Sequence, residues 1–199
     1  PFYDDPEYLD ALAESARPYL EKDDWDKVIF SFHGIPERHL KVSDASRAHC
    51  LSVPNCCETP HPAHSTCYRH QCRETVRGVV ERLKLEPEQY FMSFQSRLGK
   101  DPWLTPFTDV SLRKFAEQGT KRVKVICPAF VTDCLETLEE IAGEGREIFL
   151  AAGGEQFELI PCLNEHPQWI KYLINQIDTW SKRKQAGGVP IPSGELIEI

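Results

Sequence analysis

The chain has 199 residues, 41% of them hydrophobic, enough to bury one core, so a single globular domain is the expectation. Its formal charge of −8, from 23 basic against 31 acidic side chains, argues against nucleic acid as a partner, because phosphate binding needs a basic surface that releases counterions. No apolar run reaches the roughly eighteen residues that span a bilayer, and Pro1 to Asp10 lacks a charged-then-apolar leader pattern, so a soluble, cytosolic protein is expected; a start at Pro rather than Met predicts a piece of a longer chain.

In chain order, Pro6 to Leu20 places Leu9, Leu12, Ala13 and Leu20 at helical spacing after an acidic start, which predicts an amphipathic helix. A strand over 27–33 follows, built on Val28, Ile29 and Phe30 and opening at His33 into Gly34 and Pro36. Residues 38–70 lose periodicity, with Pro54, Pro60 and Pro62 among histidines and cysteines, and read as a long functional loop outside the core. Val76, Val79, Val80 and Leu83 restore the helical period from Gln71, and a strand at 90–94 comes next. The Pro-punctuated loop Gln95 to Pro106 leads to a short helix near 109–118, then the strand Arg122 to Cys127.

Carboxylates at 133, 136, 140, 144 and 147 then recur every three or four residues, which predicts an acidic helix from about Leu135 to Leu150 with one negatively charged face. Phe157 to Ile160 reads as a strand. Pro167 to Lys184 reads as a surface helix, with Trp169, Ile170, Leu173, Ile174, Ile177 and Trp180 on one side. The Gly- and Pro-rich stretch 186–199 is expected to be a loosely held tail.

Strands alternating with helices, joined by connections too long for hairpins, predict an α/β fold: a parallel sheet flanked by helices on both faces, a flavodoxin-like three-layer sandwich. Ligands in such sheets bind beyond the carboxyl ends of the strands. The loops after 33, 94 and 127 leave from that edge and are expected to converge on one cleft.

Of eight cysteines, five (Cys50, Cys56, Cys57, Cys67, Cys72) fall between positions 50 and 72. Without a secretory signal such density reads as metal or cluster ligation rather than a disulfide framework. Cys127, Cys134 and Cys162 end apolar runs and read as ordinary buried thiols.

Three ordered blocks, Ser31-Phe32-His33-Gly34-Ile35-Pro36, FQSRLGKDPWLTPFTD from Phe94 to Asp109, and CPAFVTDCLETLEEI from Cys127 to Ile141, resemble the ferrochelatases, enzymes that insert ferrous iron into a porphyrin. The resemblance runs from about residue 2 to 180 and is to the carboxyl-terminal part of the enzyme. It implies that residues 1–185 form the carboxyl-terminal domain, with an insert at 38–72, and that an N-terminal domain supplying the other cleft wall is missing. It implies catalytic and iron-binding roles for His33 and Glu136. An imidazole accepts a proton near neutral pH or binds iron, and a carboxylate holds the metal or balances the protonated base.

Acidic helix faces are ordinarily just solvated. Position after a strand end, together with the resemblance, singles out Asp133, Glu136 and Glu140 as one face serving a proton or metal path, and leaves Glu139, Glu144 and Glu147 as solvated. Trp103 and Phe130, aromatics that would otherwise read as core, fall at the family's pocket wall. Ser96 and Arg97 are candidates to meet a porphyrin propionate, with a local acid as the alternative partner of Arg97.

Some ferrochelatases hold a 2Fe-2S cluster, and the resemblance implies one here within the insert, on Cys50, Cys56, Cys57 and Cys67, with Cys72 in reserve. A structural zinc site using cysteines with His49, His61 or His64 is the rival, and redox-labile free thiols are a third reading. The implied partners are protoporphyrin IX and Fe(II), with peripheral membrane association open. A cobalt or nickel tetrapyrrole chelatase, or a cluster-bearing redox or sensor module, are the competing functions.

Overall fold

The structure, a computed structural model, describes residues 1–22 and 24–185. The tail expected at 186–199 lies outside the described residues. Among these residues four parallel strands form one sheet: β1 (Lys27–His33), β2 (Tyr90–Gln95), β3 (Arg122–Ile126) and β4 (Gln156–Leu159), in the order β2-β1-β3-β4. β1 is flanked on both sides, which is why Val28, Ile29 and Phe30 form an unbroken apolar run and are fully buried.

Strand alternation divides β1 between two cores. Val28, Phe30 and Phe32 pack under α1 (Pro6–Leu20), the later helix Tyr68–Leu83 and the last helix Pro167–Gln185, while Ile29 packs on the opposite face against Leu112, Ile141 and Phe149. α1 starts where it does because the Asp5 carboxylate accepts the Glu7 N–H at 3.0 Å and Pro6 occupies the first helical position. One buried charge interrupts the apolar pattern: Lys124 on β3 has a side chain 2% exposed, paired with Asp24 at 2.9 Å and with Glu158. A lysine so buried persists because both carboxylates meet it.

The expectation of a structureless loop over 38–70 is corrected. α2 (Glu37–Ser43) continues directly from β1, a 3-10 turn covers Pro62–Ser65, and α3 (Tyr68–Leu83) begins three residues before Gln71. Leu40, Cys50, Ala63, Cys67 and Cys72 join the core under β1, so the segment is part of the interior. Its organiser is Asp44, buried and accepting the N–H groups of Cys50 and His49 at 2.9 Å each, and that of Ser46 at 3.0 Å. The Cys50 N–H and the Ser46 hydroxyl hold its carboxyl well below the usual carboxylate range. Hydrogen-bonded turns carry no hydrophobic period, so the pattern of apolar residues did not announce this element.

Beyond β2, α4 (Thr108–Glu117) covers the second face. The acidic segment after β3 is a π-helix over Glu136–Gly145, continuing into α5 (Arg146–Ala151), rather than one α-helix. Wider turns are rare and occur mostly at functional sites. Asp133 lies before the helix and not on its face. α6 (Pro167–Gln185) buries Trp169 and Tyr172 against Phe2 and Tyr8, whereas Ile174 and Ile177 are 53% and 63% exposed, so the apolar side of this helix is only partly covered. Among the described residues no helix is long and apolar enough to cross a membrane.

Candidate active site

His33 is the last residue of β1. Alternation sends it to the face of Ile29 and Ser31, the side on which the π-helix packs. Its Nδ1 lies 2.5 Å from the Gly34 carbonyl oxygen, which can only accept, so Nδ1 donates there and Nε2 is the nitrogen left to exchange a proton or meet a ligand. Trp103 and Phe130 lie near the imidazole, with ring centroids 6.4 and 6.2 Å away. Trp103 is held by its indole N–H, which donates to the Leu98 carbonyl at 3.0 Å, and by a bridge to Pro36. Aromatic rings beside a base give the site flat apolar surface.

Gly34 is required where it stands. Its N–H donates to the Gln95 carbonyl at 2.6 Å, and a Cβ there would sit 2.9 Å from the Ser96 oxygen and 3.0 Å from the Gln95 oxygen. Gly34→Ala is expected to force the ends of β1 and β2 apart. The cost is about 1–3 kcal/mol in stability and, through misplacement of His33, about 10²-fold in activity; a thermal melt and a rate assay on the same preparation check both.

Gln95, a residue the sequence reading passed over, ties the strand ends to the π-helix. It is 3% exposed, its amide donates to the Glu136 carbonyl at 2.9 Å, and its oxygen accepts from Ser31 Oγ at 2.8 Å. The only signal in the sequence was a polar residue closing an apolar strand.

The Glu136 carboxyl is held below its usual range, first by a hydrogen bond from the Cys134 thiol, then by its own main-chain N–H, and the positive charge that His33 carries when protonated acts in the same direction. Imidazole and carboxylate, far apart in the chain, therefore act on each other across one edge of the sheet. Four residues on, Glu140 accepts the Ser96 N–H at 2.6 Å and the Ser96 hydroxyl. Ser96 adopts the left-handed backbone (φ 61°) that aims both donors at it.

Arg97 takes the partner left open as the alternative: both ends of its guanidinium donate to Asp109 at 2.8 Å, and it lies 4.3 Å over the Phe107 ring. Arg97, Asp109, Glu140 and Glu144 line a groove of about 290 Å³ beside Gln95. Asp133 faces the other way, accepting from Cys162 N–H at 3.0 Å and from the Asn164 amide at 2.6 Å. Burial pushes its carboxyl up, but the Asn164 and Cys162 bonds outweigh that and hold it below its usual range. The single acidic face expected for 133, 136 and 140 is thus reduced to Glu136 and Glu140, because Asp133 anchors the loop after β4 instead.

In the insert, Cys50, Cys56, Cys57 and Cys67 are all buried. The Cys67 thiol hydrogen-bonds with those of Cys57 and Cys50 and is drawn down, first by Cys57, while amide N–H groups of His70 and Arg69 act in the same sense. Cys50 is pushed up to about 12 by burial and by Cys67, with Cys56 contributing. The imidazoles are used differently. His49 and His64 each reach the Cys56 carbonyl at 2.7 Å, His70 reaches that of Cys57 at 2.9 Å, and His61 accepts the Ala63 N–H. They stack in pairs, His49 on His61 at 3.9 Å and His64 on His70 at 3.8 Å. Cys72 lies instead against the Tyr68 hydroxyl in the core. Among the described residues no three His, Cys, Asp or Glu side chains are placed to ligate a single metal ion.

A parallel α/β sheet whose strand ends present an imidazole beside two aromatic rings, next to a carboxylate-bearing π-helix, defines an α/β protein with a proton-exchanging group and an anionic group gathered at one sheet edge. Relatives agree with that class. A family model described as ferrochelatase matches residues 1–180. The chain is 51% identical over 180 residues to a ferrochelatase of Opitutus terrae, covering 90% of this chain and 52% of that protein. It is 55% identical over 174 residues to one of Ectopseudomonas mendocina, covering 87% and 51%, and 51% identical over 174 residues to one of Azotobacter vinelandii, again covering 87% and 51%. The chain belongs to the ferrochelatase family. It spans about half the length of the curated relatives it matches.

Proposed function

We propose that the full-length protein inserts Fe(II) into protoporphyrin IX, releasing two protons and forming haem. The observation that carries this reading is His33, whose Nδ1 is engaged by the Gly34 carbonyl so that Nε2 is the nitrogen left to react, with the Trp103 and Phe130 rings beside it and the Glu136 carboxyl close enough to feel the imidazolium it forms on taking a proton. His33 accepts a pyrrole proton, or meets the iron, at Nε2. Glu136 stays anionic, which suits it to hold the cation or to balance the imidazolium. Glu140, beside the groove next to Gln95, continues the path by which protons leave or iron enters. Trp103 and Phe130 are proposed to bear on the macrocycle and Ser96 and Arg97 to meet its propionates, in exchange for their partners in this structure, Glu140 and Asp109. An N-terminal half of the family's length supplies the opposite wall. The cytoplasm is the proposed location, with peripheral membrane contact suited to an apolar product.

The insert is proposed to hold a 2Fe-2S cluster on Cys50, Cys56, Cys57 and Cys67. Cys67 lies against Cys50 and Cys57, and Cys56 is near enough to both to interact with them electrostatically; thiolates so close repel one another, and a cationic iron centre would relieve that repulsion. His49, His64 and His70 address main-chain carbonyls, which favours an all-thiolate set over a Cys/His zinc site. When bound, the cluster would supply redox-active iron and folding energy to the insert.

The test is anaerobic incubation of the full-length protein with Fe(II) and protoporphyrin IX. Loss of porphyrin fluorescence with the rise of haem absorption is expected. Turnover with Co(II) or Ni(II) tetrapyrroles but none with iron would overturn the reading in favour of a related chelatase, and no turnover with any metal would favour a redox or sensor module.

A further inference from the structure

The catalytic strand end and the cysteine insert meet at one side chain. Tyr68 is the first residue of α3, directly after Cys67, and its hydroxyl donates to the main-chain oxygen of His33 at 2.9 Å across 35 residues of sequence. The same peptide is held at its other end, where the Gly34 N–H donates to the Gln95 carbonyl at 2.6 Å. The following carbonyl, that of Gly34, is the one that accepts from His33 Nδ1. Three bonds in series therefore fix the peptide that carries the ring, and the ring itself.

The two clamps have different origins. Gln95 belongs to the sheet and is in place whenever the strands pair. Tyr68 opens α3 directly after Cys67, the residue at the helix N-cap position, whose thiol is in contact with Cys50 and Cys57, so its placement follows that of the insert. We propose that Tyr68 is a positioning residue that couples the ordering of the cysteine insert to the orientation of the His33 imidazole. The inference rests on reading His33 as the reacting base and the four thiols as the seat of the cluster.

The physical consequence lies in the tautomer. While the peptide is clamped, the Gly34 oxygen keeps the proton on Nδ1 and the lone pair on Nε2. Released at one end, the peptide can rotate, Nδ1 loses its acceptor, and the fraction of rings with the correct tautomer and orientation falls. Binding of the macrocycle uses Trp103 and Phe130 and is not touched.

The experiment uses full-length protein, wild type and Tyr68→Phe, each with its cluster and after anaerobic removal of the cluster by a chelator. Tyr68→Phe is expected to keep the iron–sulfur absorption and a cooperative melt, while kcat falls about fivefold, the worth of one net hydrogen bond, with the KM for porphyrin unchanged. Ring ¹⁵N spectra of His33, assigned by their loss in His33→Gln, should pass from one tautomer to a mixture. Removing the cluster from the wild type should produce the same spectral change and a similar loss of kcat, and removing it from Tyr68→Phe should add little, because both act through one bond.

A Tyr68→Phe protein with unaltered kcat and tautomer overturns the proposal, as does a cluster effect that multiplies with that of the substitution. If Tyr68→Phe fails to fold, the wild-type comparison decides: an unchanged His33 spectrum on cluster removal is the overturning result. Colourless protein from anaerobic purification removes the coupling and leaves the His33 reading intact. Full activity in His33→Ala removes that reading first.

Discussion

Replacing His33 by alanine in the full-length protein is expected to slow iron insertion by about 10²–10⁴-fold, the usual worth of a positioned acid or base. His33 is the imidazole whose ring lies near both Trp103 and Phe130, and Glu136, held low by the Cys134 thiol and its own main-chain N–H, is a poor acceptor for a pyrrole proton. The loss should fall on kcat, with the KM for porphyrin nearly unchanged, since the aromatic planes remain. Glu136→Gln, which keeps shape and removes charge, should cost less and should weaken the apparent affinity for Fe(II). Rates measured against porphyrin and iron concentration separate the two. A wild-type rate in His33→Ala would take the residue out of the mechanism.

The second large effect is expected from Cys67→Ser. Cys67 is the thiol that touches both Cys50 and Cys57, so its loss breaks the group at its centre. The iron–sulfur absorption that the proposed cluster would give the purified protein should be absent. Without the metal, the segment from Asp44 to Cys67 retains its hydrogen bonds but loses the tie that draws its two ends together. A stability loss of about 4 kcal/mol is expected, the size that accompanies loss of a metal site, which lowers the melting midpoint of a domain this large by about 8–16 °C. Cys72→Ser, on the far side of Tyr68 in the core, should leave the absorption in place. Retention of the iron–sulfur bands by Cys67→Ser would exclude Cys67 as a ligand, and bound zinc in a colourless wild type would replace the cluster with the rival site.

These residues also divide what the chain announces from what folding decides. Periodicity located β1, β2, β3 and β4 and the helices at 6–20, 108–117 and 167–185 to within a residue or two, because each buries one face or a whole strand and so must carry apolar residues at period 3.6 or 2. His33 was legible for the same reason: a histidine followed by Gly and Pro at the end of an apolar run marks a strand opening into a turn. The kinship of the three loop blocks carried Glu136, Trp103 and Phe130.

What remained hidden follows from interactions with no sequence period. The π-helix at Glu136–Gly145 keeps carboxylates roughly four apart, as an α-helix would, so spacing alone does not reveal its wider turns. Asp133 was grouped with Glu136 and Glu140 by spacing, yet the hydrogen bonds it accepts from Cys162 and Asn164, some thirty residues onward, turn it out of the row. The insert is organised by Asp44 through main-chain amides. Composition fixed the apolar framework and the identity of the chemical groups. Which carboxylates join the site, and which tyrosine bonds the main chain of His33, were decided by hydrogen bonds between segments that only the packed sheet brings within reach.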